Sequence, residues 1–113
     1  MRLVKNITLR ELNDMSEQMY EHIVKAVVDV ETRDVVVDAE YHSDQELFLL
    51  DHGSNQENLW GINLWPDKYG TPEFVEFDSM INLRPRQNNR SRGVENSKIR
   101  DIIMQIVNEV VSQ

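Results

Sequence analysis

The chain contains no cysteine. That single absence removes disulfide frameworks, thiolate zinc sites and cysteine nucleophiles together. Glycine is scarce, with four residues, and none of them leads into the G-K-[ST] of a phosphate-cradling loop. The H-x-x-x-H and H-E-x-x-H pairs, EF-hand spacing and the G-x-S-x-G elbow are also missing. No apolar run approaches the length of a membrane span, and the opening MRLVKNITLR lacks the apolar stretch of a secretory signal. Nor is there an internal repeat, a low-complexity tract or a linker. These absences make a cytoplasmic protein the expectation, with no membrane contact, no cofactor and no resident metal.

What is present suits one globular domain over residues 1–113. At 113 residues and 13.3 kDa the chain is large enough to bury a core without staples. A composition of 40% hydrophobic and 28% charged residues argues against disorder. The net charge of −8 is unevenly spread. Residues 1–83 hold 17 acids and 6 bases, whereas residues 84–100 hold six bases and one acid. An acidic surface repels bulk nucleic acid and anionic membrane. The basic segment therefore needs a local explanation.

The order of elements follows from periodicity and stop signals. Thr8 and Glu11 form a capping box ahead of Leu12, Met15 and Met19, which predicts a helix over residues 8–21. IVKAVVDV and DVVVDAEY flank Glu31-Thr32-Arg33 and alternate like a hairpin with one buried face. Ser43 and Glu46 form a second box, and Gly53 suits the left-handed position after a short helix. Residues 60–65 read as a strand ended by Pro66, and residues 73–84 as a strand, bent near Asp78-Ser79 and stopped by Pro85. A stripe from Ile99 through Ile103 and Ile106 to Val111 predicts a C-terminal helix. The expected fold is α+β in the order α-β-β-α-β-β-α, an antiparallel-rich sheet of about four strands with helices packed on one face.

If residues 73–84 are one strand, Glu76, Asp78, Asn82 and Arg84 point away from the core. Asn63 does the same on the neighbouring strand, as do Asp38, Glu40 and His42 on the hairpin. Their alignment is either the wet face of a two-layer domain or the floor of a cleft rimmed by the loop after Arg84. In that loop four arginines fall within nine residues, among Asn88, Asn89 and Ser91 that bond readily back to the main chain. Five of the six bases between 84 and 100 are arginine. Planar forks match carboxylate and phosphate, so the choice favours anion recognition over simple solubility. The competing reading is pairing with the protein's own carboxylates. The candidate ligand-binding residues are Arg84, Arg90, Asn82, Asn89, Asn63 and Ser91.

HSDQELFLLDHGSNQENLWGINLWP and FDSMINLRPRQNNRSRG resemble the hallmark blocks of a family of small bacterial proteins of unknown function. The likeness spans residues 20 to 110. It implies a shared fold and site region, not an activity. The matching polar positions are His42, Asp44, Glu46, Ser54, Gln56, Trp60, Asn63, Asn82, Arg84, Asn89, Arg90 and Ser91. The family pattern carries Gly-Asn where this chain has Asn88-Asn89, which leaves the turn geometry open.

Other constellations are weaker. Asp38, Glu40 and His42 would hold a metal only if they share a strand face. Glu76 and Asp78 face the same way and suit either one ion or the neighbouring arginines, of which ion pairing is the better reading. Ser54 near His52 reads as a helix end rather than a relay. Trp60 belongs to the core, and Trp65 is a ligand platform or a rim contact. Three functions follow: a binding module for an anionic small molecule, a metal-assisted hydrolase built on Asp38, Glu40, His42 or Glu76, or an adaptor whose loop docks on an acidic protein surface. The first is preferred. The oligomeric state is open.

Overall fold

The computed structural model describes residues 1–113. In chain order it holds β1 (Arg2–Val4), β2 (Ile7–Thr8), α1 (Leu9–Met19), β3 (Val24–Asp29), β4 (Val35–Val37), α2 (His42–Asp51), β5 (Leu59–Leu64), β6 (Val75–Glu76), α3 (Ser97–Val110) and β7 (Val111–Ser112), with short 3₁₀ turns between them. The class is α+β, as expected. The main sheet is antiparallel with strand order β1-β4-β3-β5-β6, and β2 pairs in parallel with β7 as a separate two-stranded piece.

Of the two expected helix caps one holds and one fails, and α3 has a cap of its own at Asn96. Thr8 Oγ1 accepts from the Glu11 amide at 3.1 Å while Glu11 Oε2 accepts from the Thr8 amide at 3.3 Å, a complete capping box. Asn96 caps α3 through the amides of Lys98 and Ile99. Ser43 caps nothing. The cap position falls two residues earlier, at Tyr41, and α2 begins at His42 with no side-chain acceptor for its first amides. Gly53 does take the left-handed conformation beyond that helix, at φ 96°.

The hairpin β3–β4 forms, its turn held by Asp29 Oδ1 accepting from Glu31 and Thr32. It is buried on both faces rather than one. Val24, Ala26, Val28, Val35, Val37, Trp60, Ile62 and Leu64 meet α1 and α3 through Leu12, Ile103, Ile106 and Val107. Val27, Val36 and Leu59 point the other way and meet Leu49 of α2, with Ile81 packed alongside. The helices therefore cover both faces, and the uninterrupted valine runs are the signature of that two-sided burial.

The strand expected over 34–41 stops at Val37, because Asp38 turns left-handed at φ 62°. The strand expected over 73–84 is paired only at Val75 and Glu76. Beyond it the Ser79 hydroxyl accepts from the Ile81 amide and opens a 3₁₀ turn over Met80–Asn82, and Pro85 begins another. β1, β2 and β7 were not expected. They are two or three residues long, too short to show a period.

Candidate functional site

β5 is paired with β3 along its whole length, but β6 covers only Asn63 and Leu64 on its other side. The chain from Ser79 to Gly93 folds back over the uncovered part. Gly61 admits it: a Cβ there would lie 2.5 Å from both Cβ and Oγ of Ser79. Asn82 then fills the gap in the ladder. Its Oδ1 accepts from the Gly61 amide at 2.8 Å, and its Nδ2 donates to Gly61 O at 3.0 Å and to Arg92 O at 2.9 Å.

Arg84 continues the same work. Its guanidinium donates to the carbonyls of Gln56 and, at 2.7 Å, Leu59, and lies 4.1 Å from the Trp60 ring centre. Burial lowers its pKa from the ordinary arginine value, opposed by the nearby Glu46 carboxylate. Asn89 is buried too, with Nδ2 donating to Asn82 O at 2.7 Å and Gly93 O at 2.8 Å while Oδ1 accepts from the Glu95 amide. Asn88 sits at φ 59°. That left-handed position is one that asparagine, like glycine, occupies readily.

The structure thus brings Asn82, Arg84 and Asn89 together in one clamp on the main chain of β5 and of the loop itself. Arg90 and Ser91 lie exposed on the outside of the same loop, the guanidinium of Arg90 free of partners. Asn63 stands apart on the sheet. Of the arginines expected to pair with nearby carboxylates, it is Arg92 that does so, through Nε to Asp78 Oδ1 at 2.6 Å.

A cleft of about 510 Å³ opens on the α2 face of the sheet, beside the clamp. Its floor is a row fixed by strand register: Lys25 on β3 pairs opposite Asn63 on β5, which pairs opposite Glu76 on β6. Strands lie about 4.8 Å apart, so the ends of this row are about 10 Å apart at the backbone. Asn63, 6% exposed, donates through Nδ2 to Glu76 Oε1 at 2.9 Å, and its Oδ1 has no protein partner. Glu76 Oε1 also accepts from Trp65 Nε1 at 3.3 Å. Lys25 makes no ion pair; its Nζ lies 4.9 Å from the Tyr20 ring centre and 5.9 Å from that of Tyr41. Asp78 and Arg92 close the opposite side, and Ile23, Met80 and Ile81 give it apolar walls.

His42 enters this cleft from the first turn of α2. Its Nε2 lies 2.7 Å from Ile62 O, and since a carbonyl only accepts, Nε2 carries the hydrogen and Nδ1 is left as the acceptor. Burial lowers the His42 pKa from 6.5; the Ile62 carbonyl and Asp78 oppose this, and the charges of Lys25 and Arg92 add to it. The ring is neutral at neutral pH. Gln45, one turn on, ties α2 to the floor by donating to Lys25 O at 2.8 Å.

The expected polar face is therefore realised in part. His42, Asn63, Glu76 and Asp78 share the cleft, Asn82 and Arg84 support it, and Asp38 and Glu40 belong elsewhere. No three His, Asp or Glu side chains converge as a metal-binding group. Lys25 and Arg92 were not singled out in the sequence. Lys25 is a lone charge in a run of valines, and only the strand register reveals that it faces Asn63. No helix is long and apolar enough to cross a membrane.

Comparison with known proteins adds a family but no activity. The family described as protein of unknown function (DUF5674) matches residues 2–110, and the chain belongs to it. No curated protein and no solved structure matches the chain.

Proposed function

We propose that this member of a family without an assigned activity is a binding module, and that its cleft takes a small organic molecule through an anionic group. The observation that carries the reading is Lys25: a cation without an ion pair, in the floor of a concave site, beside a helix start that no side chain caps. Free amides at a helix start and an uncompensated ammonium together favour an anion. The buried Asn63 Oδ1, also unpartnered, is an independent sign that this floor has unused hydrogen-bonding capacity. The volume falls within the range of small-molecule sites.

This reading puts the anion at Lys25 rather than at Arg84 and Arg90. Arg84 has committed both terminal nitrogens of its guanidinium to main-chain carbonyls, and Arg90 stands on an exposed turn. The arginine- and asparagine-rich segment instead positions the rim. Arg92 O accepts from both Ser79 N and Asn82 Nδ2 at 2.9 Å, which holds the Arg92 side chain at the mouth.

The test is amide shift mapping of the full chain with organic carboxylates, sugar phosphates and nucleotides. Shifts are expected at Lys25, His42, Ser43 and Asn63, with affinity reduced about ten-fold or more in Lys25→Gln, the loss of one charged hydrogen bond. Shifts confined to residues 84–91 would move the site back to Arg84 and Arg90. No shift in either place would end the binding reading.

A further inference from the structure

We infer that the ligand is a zwitterion of the amino-acid type, its carboxylate at Lys25 and its ammonium between Glu76, Asp78 and Asn63; this rests on the cleft being the binding site. The two ends of the floor carry opposite unspent charge. At one end stands Lys25, with no acid paired to it. At the other, Glu76 and Asp78 face a single guanidinium, that of Arg92, which is engaged with Asp78 Oδ1 at 2.6 Å. One negative charge is left over there. Asn63 lies between the ends in register with both.

A ligand bearing only an anion would satisfy Lys25 and share the cleft with an uncompensated carboxylate, and like charges in one site disfavour each other. A molecule with an ammonium group removes that conflict. The hydrogen-bond inventory agrees. Asn63 has spent its donors on Glu76 Oε1 and Asp78 O, and keeps only an acceptor, Oδ1. Glu76 and Asp78 also only accept. An ammonium is all donor and supplies three hydrogens. The apolar walls of Ile23, Met80 and Ile81 select an aliphatic or aromatic side chain on the ligand.

The experiment titrates the full chain with free leucine, methionine and phenylalanine, each beside its N-acetyl derivative and its carboxamide, and reads amide shifts and affinity at constant pH. The free amino acid is expected to move Lys25, Asn63 and Glu76. The N-acetyl form, without the ammonium, and the carboxamide, without the carboxylate, are each expected to bind at least ten-fold more weakly. In Lys25→Gln the free amino acid and its carboxamide should become equal. In Glu76→Gln, which keeps an oxygen for Asn63 and Trp65, the free and N-acetyl forms should become equal. If N-acetyl forms bind the wild-type chain as tightly as free amino acids, the ammonium is not read and the zwitterion is wrong while the cleft stands. If no amino acid moves the cleft but plain carboxylates or phosphates do, the outcome is the same. If nothing in either set moves it, both readings fall. The ligand-side comparison does not depend on any variant folding.

Discussion

The carboxamide of Asn82 stands beside Gly61 as a neighbouring strand would, accepting from its amide at 2.8 Å and donating to its carbonyl at 3.0 Å. The two residues are 21 apart in the chain and both are buried. Asn82→Ala leaves Gly61 N and Gly61 O without this partner, while Arg92 O keeps its bond from Ser79 N. Each such group costs about 1–3 kcal/mol when buried. We expect a stability loss of about 3 kcal/mol or more, measured by urea unfolding with an unchanged slope; a loss under 1 kcal/mol would show that water replaces the amide at no cost.

Gly61→Ala tests the same contact from the other side. The new Cβ meets Ser79 Cβ and Oγ at 2.5 Å, so the turn must shift. Overpacking of this kind costs about 1–3 kcal/mol. Ser79→Gly in the same chain removes both clashing atoms and should restore part of the loss. Equal stability of the single and double variants would place the strain elsewhere.

Arg84→Lys keeps the charge and gives up the fork over two carbonyls and the stacking on Trp60. We expect about 1.5–3 kcal/mol of destabilisation by thermal or urea unfolding, in the range of charge-assisted hydrogen bonds. Affinity for a cleft ligand should stay within about two-fold. Unchanged stability with lost affinity would return Arg84 to the ligand.

Thr8→Ala and Ser43→Ala should behave differently despite identical S/T-x-x-E patterns. The first removes a real cap and should cost about 1 kcal/mol. The second removes a hydroxyl that caps no amide and should stay within about 0.5 kcal/mol. Melting curves of the two variants side by side decide it.

His42 gives a pH signature with a definite sign. Its folded pKa lies below 6.5, so as pH falls under 6.5 the unfolded chain takes up a proton that the folded chain refuses. Stability from this group is full above 6.5 and declines toward the lowered folded value. Urea unfolding at pH 7.5 and 5.5 should show a larger loss in the wild type than in His42→Gln, which keeps every other titratable group. Equal losses would mean that the ring is accessible and unshifted.

Legibility in the sequence followed the range of the interactions. The Thr8–Glu11 box, the Ile103–Ile106 stripe and the alternation from Val24 to Val28 act within a few residues, and each predicts the element found. Ser43 shows the limit of a local motif. His42 reaches Ile62 O and Gln45 reaches Lys25 O, and these contacts accompany a helix start two residues earlier than the motif places it. The alternation from Val75 to Leu83 fits a strand as well as any in the chain. What breaks it is the return over Gly61. The bend expected near Asp78-Ser79 falls at the right place, but no local residue shows that the chain leaves the sheet there. The floor of the cleft was hidden for the same reason: Lys25, Asn63 and Glu76 become neighbours only through the order and register of β3, β5 and β6.

The amide at Asn82 also decides what cannot attach to the molecule. A backbone edge is a template: each added strand presents a fresh row of donors and acceptors, and fibres and swapped dimers grow that way. A side-chain carboxamide offers one donor–acceptor pair and then stops, because the Asn82 main chain has already turned away into a 3₁₀ turn. At Gly61 the sheet is terminated as a polymer is terminated, by a group that satisfies the growing end and carries no propagating function.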